Sequence, residues 1–403
     1  MSQVSSTGGG NRQRRSHVPD IRSAGSLVTQ ADHIELPHYP FQPLPTPAGA
    51  APYRFDLSQL LQPADFAAVQ SAGVLVFHTV GDTGDSRGQQ QVFVAEMMTQ
   101  DVQGSAAGHQ PYFLYHLGDV VYFAGDIDMY GNNFYATYTD YPAFIVAIPG
   151  NHDCQPDDPQ DGPVDPAKVP LDGWVQNFMS TDPSLPGSLK TGSARTQMDL
   201  PNVFWTFTTP FATIIGLFSN VGETQAEIHQ DQIDWFQGEL TAANPALPVI
   251  VTIHHPPFSG DIEHSGSSVA YNVLFDSFAA TGRYPNLILS GHVHNYQRFT
   301  TVVQGPNGPL QIPCVVAGAG GYTVLGKLQK IDGEDPTAPL QINDTLRLEQ
   351  YDQENFGFLR LSVSAQTITG TYFSAPYSAG STPAATAVET FTIDVANFTV
   401  QTN

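Results

Sequence analysis

Five short clusters hold most of the residues able to do chemistry. They are Gly81-Asp82-Thr83-Gly84, Gly118-Asp119-Val120-Val121-Tyr122, Gly150-Asn151-His152-Asp153, His254-His255-Pro256 and Gly291-His292-Val293-His294. Taken singly each says little, since a Gly-Asp pair is usually a turn and a His ending a strand is usually a core residue. The set says more, because carboxylate, amide, imidazole and phenol side chains all suit hard or borderline metal ions. Two such ions roughly 3.5–4 Å apart can clamp the attacking and leaving oxygens of an in-line displacement. One carboxylate must then bridge them. Glycine-linked turns let several ligands approach one point without steric conflict. The chemistry expected is metal-assisted hydrolysis of a phosphoester.

Each cluster follows an apolar run that reads as a buried strand: Gly73 to Val80, Pro111 to Leu117, Ala143 to Ile148, Pro248 to Ile253 and Pro285 to Leu289. Helical patterns, Gln90 to Thr99 and Gln230 to Ala242, lie between them. This alternation predicts an α/β domain whose ligands gather at strand carboxyl ends, with all five clusters on one rim. Val203 to Asn220 reads as a hairpin of strands. Gly357 to Phe373 and Val388 to Asp394 alternate as strands, so the C-terminal part is strand-rich. Residues 1–50 are rich in Ser, Gly, Pro and Arg without periodicity, and read as a disordered arm. Residues 51–403 read as a single domain with a surface insertion around 153–193.

Composition narrows the substrate. Fifteen Lys and Arg oppose 38 Asp and Glu, a formal charge of −23, which disfavours a polynucleotide groove. A small phosphoester would need local cations such as bound metal ions to outweigh that field. Cys154 and Cys314 are the only cysteines, so a disulfide framework and a four-thiolate zinc site are excluded. A single bridge between them stays open. No apolar run approaches the roughly 20 residues that span a bilayer, and the first thirty residues carry no signal-peptide core, which predicts a cytoplasmic protein by default.

Taken in order, the clusters resemble the calcineurin-like metallophosphoesterase superfamily, and within it the purple acid phosphatases. Most of the superfamily carries Asp-x-His in the first cluster, but Gly84 stands where that His would be. The second cluster offers Tyr122 in a Gly-Asp-x-x-Tyr pattern instead. Purple acid phosphatases make this exchange, with a tyrosinate on ferric iron giving the colour. Leu117 to Gly125 is also similar to the small tartrate-resistant animal and bacterial forms. The resemblance covers about residues 73–300 by motif and is looser to about 375.

The resemblance implies two packed, mainly mixed β-sheets flanked by helices. It implies Fe(III) held by Asp82, Asp119, Tyr122 and His294, with Asp119 bridging to a divalent ion (Zn, Fe or Mn) completed by Asn151, His254 and His292. It makes His152 an outer-sphere phosphate donor and His264 the group that protonates the leaving alcohol. The implied activity is an acid phosphatase, a metal-bound hydroxide attacking a phosphomonoester, in a family whose members are often exported. Two alternatives stay open: a phosphodiesterase or phospholipid-directed hydrolase on the same two-metal site, and a non-catalytic metal-binding protein. His255 is either an alternative ligand or a group behind the ligands. His78 and His116 lie inside strands and read as satisfied core residues or as groups behind the ligands. Asp153 is placed to orient His152, and Gly318 to Gly321 reads as a backbone turn packed near the site.

Overall fold

The computed structural model describes residues 44–84, 89–155, 168–180, 195, 198–219 and 228–402. The chain enters through β1 (Arg54–Asp56), α1 (Leu57–Leu60) and α2 (Pro63–Ala72). Asp56 accepts the Ser58 N–H and Gln59 reaches back to the Asp56 N–H, a reciprocal cap on α1. Pro63 opens α2, and Gly73, at φ 69°, closes it in the left-handed conformation that glycine adopts freely. There follow β2 (Leu75–Val80), α3 (Gln90–Gly104), β3 (Phe113–His116), β4 (Phe144–Ala147), α4 (Asn151–Cys154) and α5 (Asp172–Phe178). The middle of the chain supplies β5 (Trp205–Thr208), β6 (Thr213–Leu217), α6 (Gln230–Ala242), β7 (Val249–Ile253), α7 (Ser268–Thr281) and β8 (Leu287–Ser290). The rest is strand: β9 (Tyr296–Gly305), β10 (Gly308–Ala317), β11 (Leu340–Gln341), β12 (Leu346–Asp352), β13 (Phe356–Val363), β14 (Thr367–Ala375), β15 (Thr386–Asp394) and β16 (Thr399–Thr402).

These strands form two mixed sheets. One has the order β16-β15-β14-β13-β2-β3-β4, the other β1-β5-β6-β7-β8-β10-β9-β12-β11. The strands β2, β3 and β4 run parallel, as do β6, β7 and β8. Buried on both faces, they need the near-continuous apolar runs the sequence provides. The two sheets that the resemblance implied are present, and the five clusters are divided between them. Three of the cluster-bearing strands lie in the seven-stranded sheet and two, β7 and β8, in the nine-stranded one. Pairing partners far apart in the chain decide that division, and local sequence pattern does not encode them.

The sheets meet through aromatic side chains and a few satisfied polar groups. Phe113 stacks on Phe77 at 4.7 Å and meets Phe207 of the other sheet edge-on at 5.2 Å. Tyr115 stacks on Trp205 at 5.7 Å, and the Trp205 indole N–H donates to the Ala147 carbonyl at 3.1 Å. At the far side Arg298 of β9 makes a bidentate pair with Glu389 of β15, at 2.9 and 2.7 Å, and Tyr296 donates to the same carboxylate at 2.5 Å. Helices α6 and α7 cover the outer face of the nine-stranded sheet with Phe236, Leu240, Leu274 and Phe278.

Part of the stretch expected on the surface is buried. Trp174 and Phe178 of α5 are fully enclosed and stack at 4.3 Å, while 156–167 and 181–194 lie outside the described residues. The arm expected over 1–50 also falls outside them, save 44–50, where Gly49 N–H bonds the Pro201 carbonyl at 2.9 Å. Cys154 and Cys314 are both buried and free, so they do not pair. Among the described residues no helix is long and apolar enough to cross a membrane.

Candidate metal centre

The carboxyl ends of β2, β3 and β4 face those of β7 and β8, and the five clusters meet there. The chain turns sharply as it leaves three of these strands. Asp82, Asp119 and His292 take φ values of 59°, 54° and 68°, a left-handed conformation that costs a non-glycine residue free energy and collects at functional sites. Neighbouring glycines make room. A Cβ at Gly150 would lie 2.1 Å from Asp119 Oδ1, and one at Gly84 would lie 2.0 Å from the Val120 carbonyl oxygen. The second distance leaves no space for a side chain at position 84, so the missing histidine of the first cluster has nowhere to stand.

All seven sequence-expected ligands converge, in two lobes. In the first, the Tyr122 hydroxyl lies 2.8 Å from Asp119 Oδ2, 3.1 Å from Asp82 Oδ1 and 3.3 Å from His294 Nε2. In the second, Asn151 Oδ1 lies 3.0 Å from both His254 Nε2 and His292 Nδ1. Asp119 Oδ2 belongs to both, being 3.4 Å from His254 Nε2. Ligand atoms of Asp82, Asp119 and His254 all lie within 4.8 Å of one another.

Without a cation this constellation is poorly satisfied. Tyr122 has one proton for two carboxylates, and Asp82 Oδ2 and Asn151 Nδ2 are buried without a hydrogen-bond partner. Burial pushes the Asp82 carboxyl well above its usual range, with His254 pulling the other way and Asp119 adding to the rise. Burial also raises the Tyr122 phenol, and the charges of Asp119 and Asp82 raise it further. His292 and His294 are driven down by burial and by the surrounding imidazoles. Burial alone would lower His254, but Asp119 carries it up to about 9. A cation in each lobe reverses the electrostatics, favouring ionised oxygens and unprotonated imidazoles. The residues therefore fit metal ions, and the donor set is that of hard or borderline metals.

The two expected catalytic histidines stand at the edge. The His152 ring is 4.4 Å from that of Tyr122, its backbone N–H donates to Asp119 Oδ1 at 2.9 Å, and Nδ1 lies 2.8 Å from the Phe123 carbonyl oxygen. His264 is 4.9 Å from His292 and 5.1 Å from His294, ring to ring, with Nδ1 3.8 Å from Asp261 Oδ1. His255 sits behind the ligands: its ring is 4.2 Å from His292 and Nδ1 is 2.8 Å from Ser219 Oγ. Asp153 does not orient the His152 ring. Its carboxylate accepts N–H groups from Val120 at 3.0 Å, Val121 at 3.3 Å and Gly150 at 2.8 Å, thereby building two of the ligand turns. Gly318 to Gly321 is a backbone turn, with Gly320 and Gly321 pressed on Gly81 and Gln91. It delivers Tyr322, which the sequence did not single out, to 4.1 Å from His294 and 4.7 Å from Tyr122.

Comparison with known proteins agrees with this geometry. Residues 75–296 match the calcineurin-like phosphoesterase family. A stretch of 145 residues is 26% identical to purple acid phosphatase 22 of Arabidopsis thaliana, covering 35% of this chain and 30% of that protein, so the chain spans about a third of this curated relative. Among solved structures, PhoD superposes with a TM-score of 0.54 at 11% identity, over 82% of this chain and 71% of that one. GAP50, described as the anchor in the inner membrane complex of Plasmodium, gives 0.51 at 15% identity, over 78% and 88% of the two chains. Both structural likenesses are of fold. With a match over more than half its residues, spanning all seven converging side chains, the chain belongs to the calcineurin-like phosphoesterase family.

Proposed function

We propose that this protein hydrolyses phosphomonoesters at a dinuclear centre of the purple acid phosphatase type, with Fe(III) beside a divalent Zn, Fe or Mn ion. One observation carries the reading. Asp119 Oδ2 is shared between a lobe of Asp82, Tyr122 and His294 and a lobe of Asn151, His254 and His292. The phenol in the first lobe suits a hard ferric ion, and the likeness to a purple acid phosphatase supports the same assignment. When bound, the two ions supply Lewis acidity toward the phosphoryl oxygens and activate water as the nucleophile.

The chain's own groups then position the ester and move the proton. His152, whose Nδ1–H donates to the Phe123 carbonyl and whose ring lies 4.4 Å from that of Tyr122, is the group that donates to a phosphoryl oxygen. His264, with the Asp261 carboxylate behind it, gives a proton to the departing oxygen. The alcohol leaves neutral, and phosphate is the other product.

Colour tests the assignment directly. Iron-loaded protein is expected to absorb in the visible, and Tyr122→Phe to lose that band. An active, colourless, iron-free protein would sink the purple acid reading. Rates on phenyl phosphate and on diphenyl phosphate settle the ester class, since faster cleavage of the diester makes the protein a phosphodiesterase. Metal-loaded protein that cleaves neither is a binding protein.

A further inference from the structure

His116 lies three residues before Asp119, wholly buried at the end of β3, and touches neither lobe. Its two ring nitrogens face different loops. Nδ1 is 3.2 Å from the backbone nitrogen of Gly118, and Nε2 is 2.9 Å from Thr83 Oγ1. The Gly118 amide can only donate, so Nδ1 must be the acceptor, and the neutral ring carries its proton on Nε2. That proton then goes to Thr83. One imidazole in one tautomer therefore joins the turn before Asp119 to the turn after Asp82.

Both turns carry backbone that only a tight loop imposes. Asp82 and Asp119 both have left-handed backbones, and Gly118 has φ 98°. The turns are also joined by Asp82 N–H to the Gly118 carbonyl at 3.0 Å and Thr83 N–H to the Asp119 carbonyl at 3.2 Å. These backbone bonds set the spacing of the loops. Beside the Tyr122 hydroxyl, which reaches Asp82 from the metal side, the imidazole adds a side-chain tie between them from the buried side, where His116 and Thr83 are fully enclosed.

We propose that His116 is a positioning residue for the candidate centre: bonded to Thr83 and Gly118, it fixes the turns that aim Asp82 and Asp119 at a common point. The inference rests on the metal-centre reading above but assigns a role that reading does not use. Groups that orient metal ligands in this indirect way typically alter metal affinity by 10- to 100-fold.

The test compares Thr83→Val, which removes the hydroxyl at nearly constant shape, with Thr83→Ser, which keeps it, and with His116→Phe. Metal affinity is measured by competition with a chelator, the visible band records the ferric site, and Tm of the metal-free protein records packing. Thr83→Val and His116→Phe are each expected to weaken metal binding about 10-fold or more and to shift the band. Thr83→Ser is expected to stay within about threefold of wild type, and the double variant to be no worse than the poorer single one, because both remove the same bond. If His116→Phe does not fold, the Val and Ser variants carry the comparison alone. Lower Tm in Thr83→Val with unchanged metal affinity and band would make His116 a packing residue and overturn the proposal. Wild-type protein that takes up no metal would instead overturn the metal-centre reading itself.

Discussion

Among single side chains, Asp119 differs from the other six candidate ligands because one of its oxygens faces both lobes. Asp119→Ala is therefore expected to lose both ions, whereas Asn151→Ala, which touches only the second lobe, should lose one and keep the visible band. Metal-to-protein ratios by elemental analysis check this, and equal losses from the two variants would break the lobe assignment. His264 stands outside both lobes, so His264→Ala should retain its metal. Its rate loss should grow from about threefold for a good phenolic leaving group to 100-fold or more for an alkyl one, as general acid catalysis requires. Flat dependence on leaving-group pKa would remove that role. The seven converging side chains were legible in the sequence because each follows an apolar run, most of them in glycine-linked turns, in the order that the family resemblance implies. Ser219 and Tyr322 were not, since each reaches the site only through tertiary packing. The Ser219 bond to His255 spans 36 positions, and Tyr322 arrives on a turn 28 residues after His294.

Strands and turns impose a different limit, which is room. Gly150 ends the β4 segment against Asp119, and an added Cβ would sit 2.1 Å from Oδ1 and 2.4 Å from the Asp119 nitrogen. Gly150→Ala is expected to lower stability by about 1–3 kcal/mol, the usual cost of overpacking, and to reduce metal content at the same time. Calorimetry and elemental analysis read the two effects separately. The other element-scale device is the Arg298–Glu389 pair, buried between β9 and β15 with side chains 0% and 3% exposed. Arg298→Met alone strands a buried carboxylate and should cost about 3–5 kcal/mol. Replacing both partners, Arg298→Met with Glu389→Leu, should cost much less than the two single changes added together, by urea denaturation. Additive losses would mean that the pair is not what joins these strands. The apolar runs and the strand-rich C-terminal part were legible from alternation, as was the α/β class. Their division between two sheets was not, because β2 pairs with β13 nearly 300 residues later. Helix α5 was hidden for another reason: its buried Trp174 and Phe178 sit in a stretch whose Asp, Pro and Gly content signals a loop.

Over the whole molecule, the charge of −23 and the buried histidines whose pKa burial lowers respond to acid in opposite senses. Lowering the pH protonates surface carboxylates and relieves their mutual repulsion, which favours the compact state. His78 works against this. It is enclosed between Tyr141 and Asp101, with Nδ1 3.0 Å from the Tyr141 oxygen and Nε2 2.9 Å from Asp101 Oδ2. Burial lowers its pKa from the usual 6.5, and Arg360 adds to that, although Asp101 pulls the other way. Unfolded chain then takes up a proton below about pH 6.5 that the folded chain refuses, so the contribution of His78 is full above 6.5 and declines as pH falls. Asp101 declines later. Burial raises its pKa, but His78 and Arg360 outweigh burial and hold it below 3.8, so its contribution is full above 3.8 and is lost only under more acid conditions. As the pH falls, therefore, stability declines first through His78, from about 6.5, and through Asp101 only below 3.8. His78→Gln is expected to lower Tm at pH 7, because Tyr141 and Asp101 lose a well-placed partner, and to flatten the fall of Tm between pH 6.5 and 4. His116, which burial lowers to about 3, keeps a residual slope in the variant. Thermal melts at pH 7, 5.5 and 4 decide it: parallel curves for the two proteins would mean that the acid response comes from elsewhere. Tolerance of acid in this chain would thus come from its excess of carboxylates, in spite of His78 and His116.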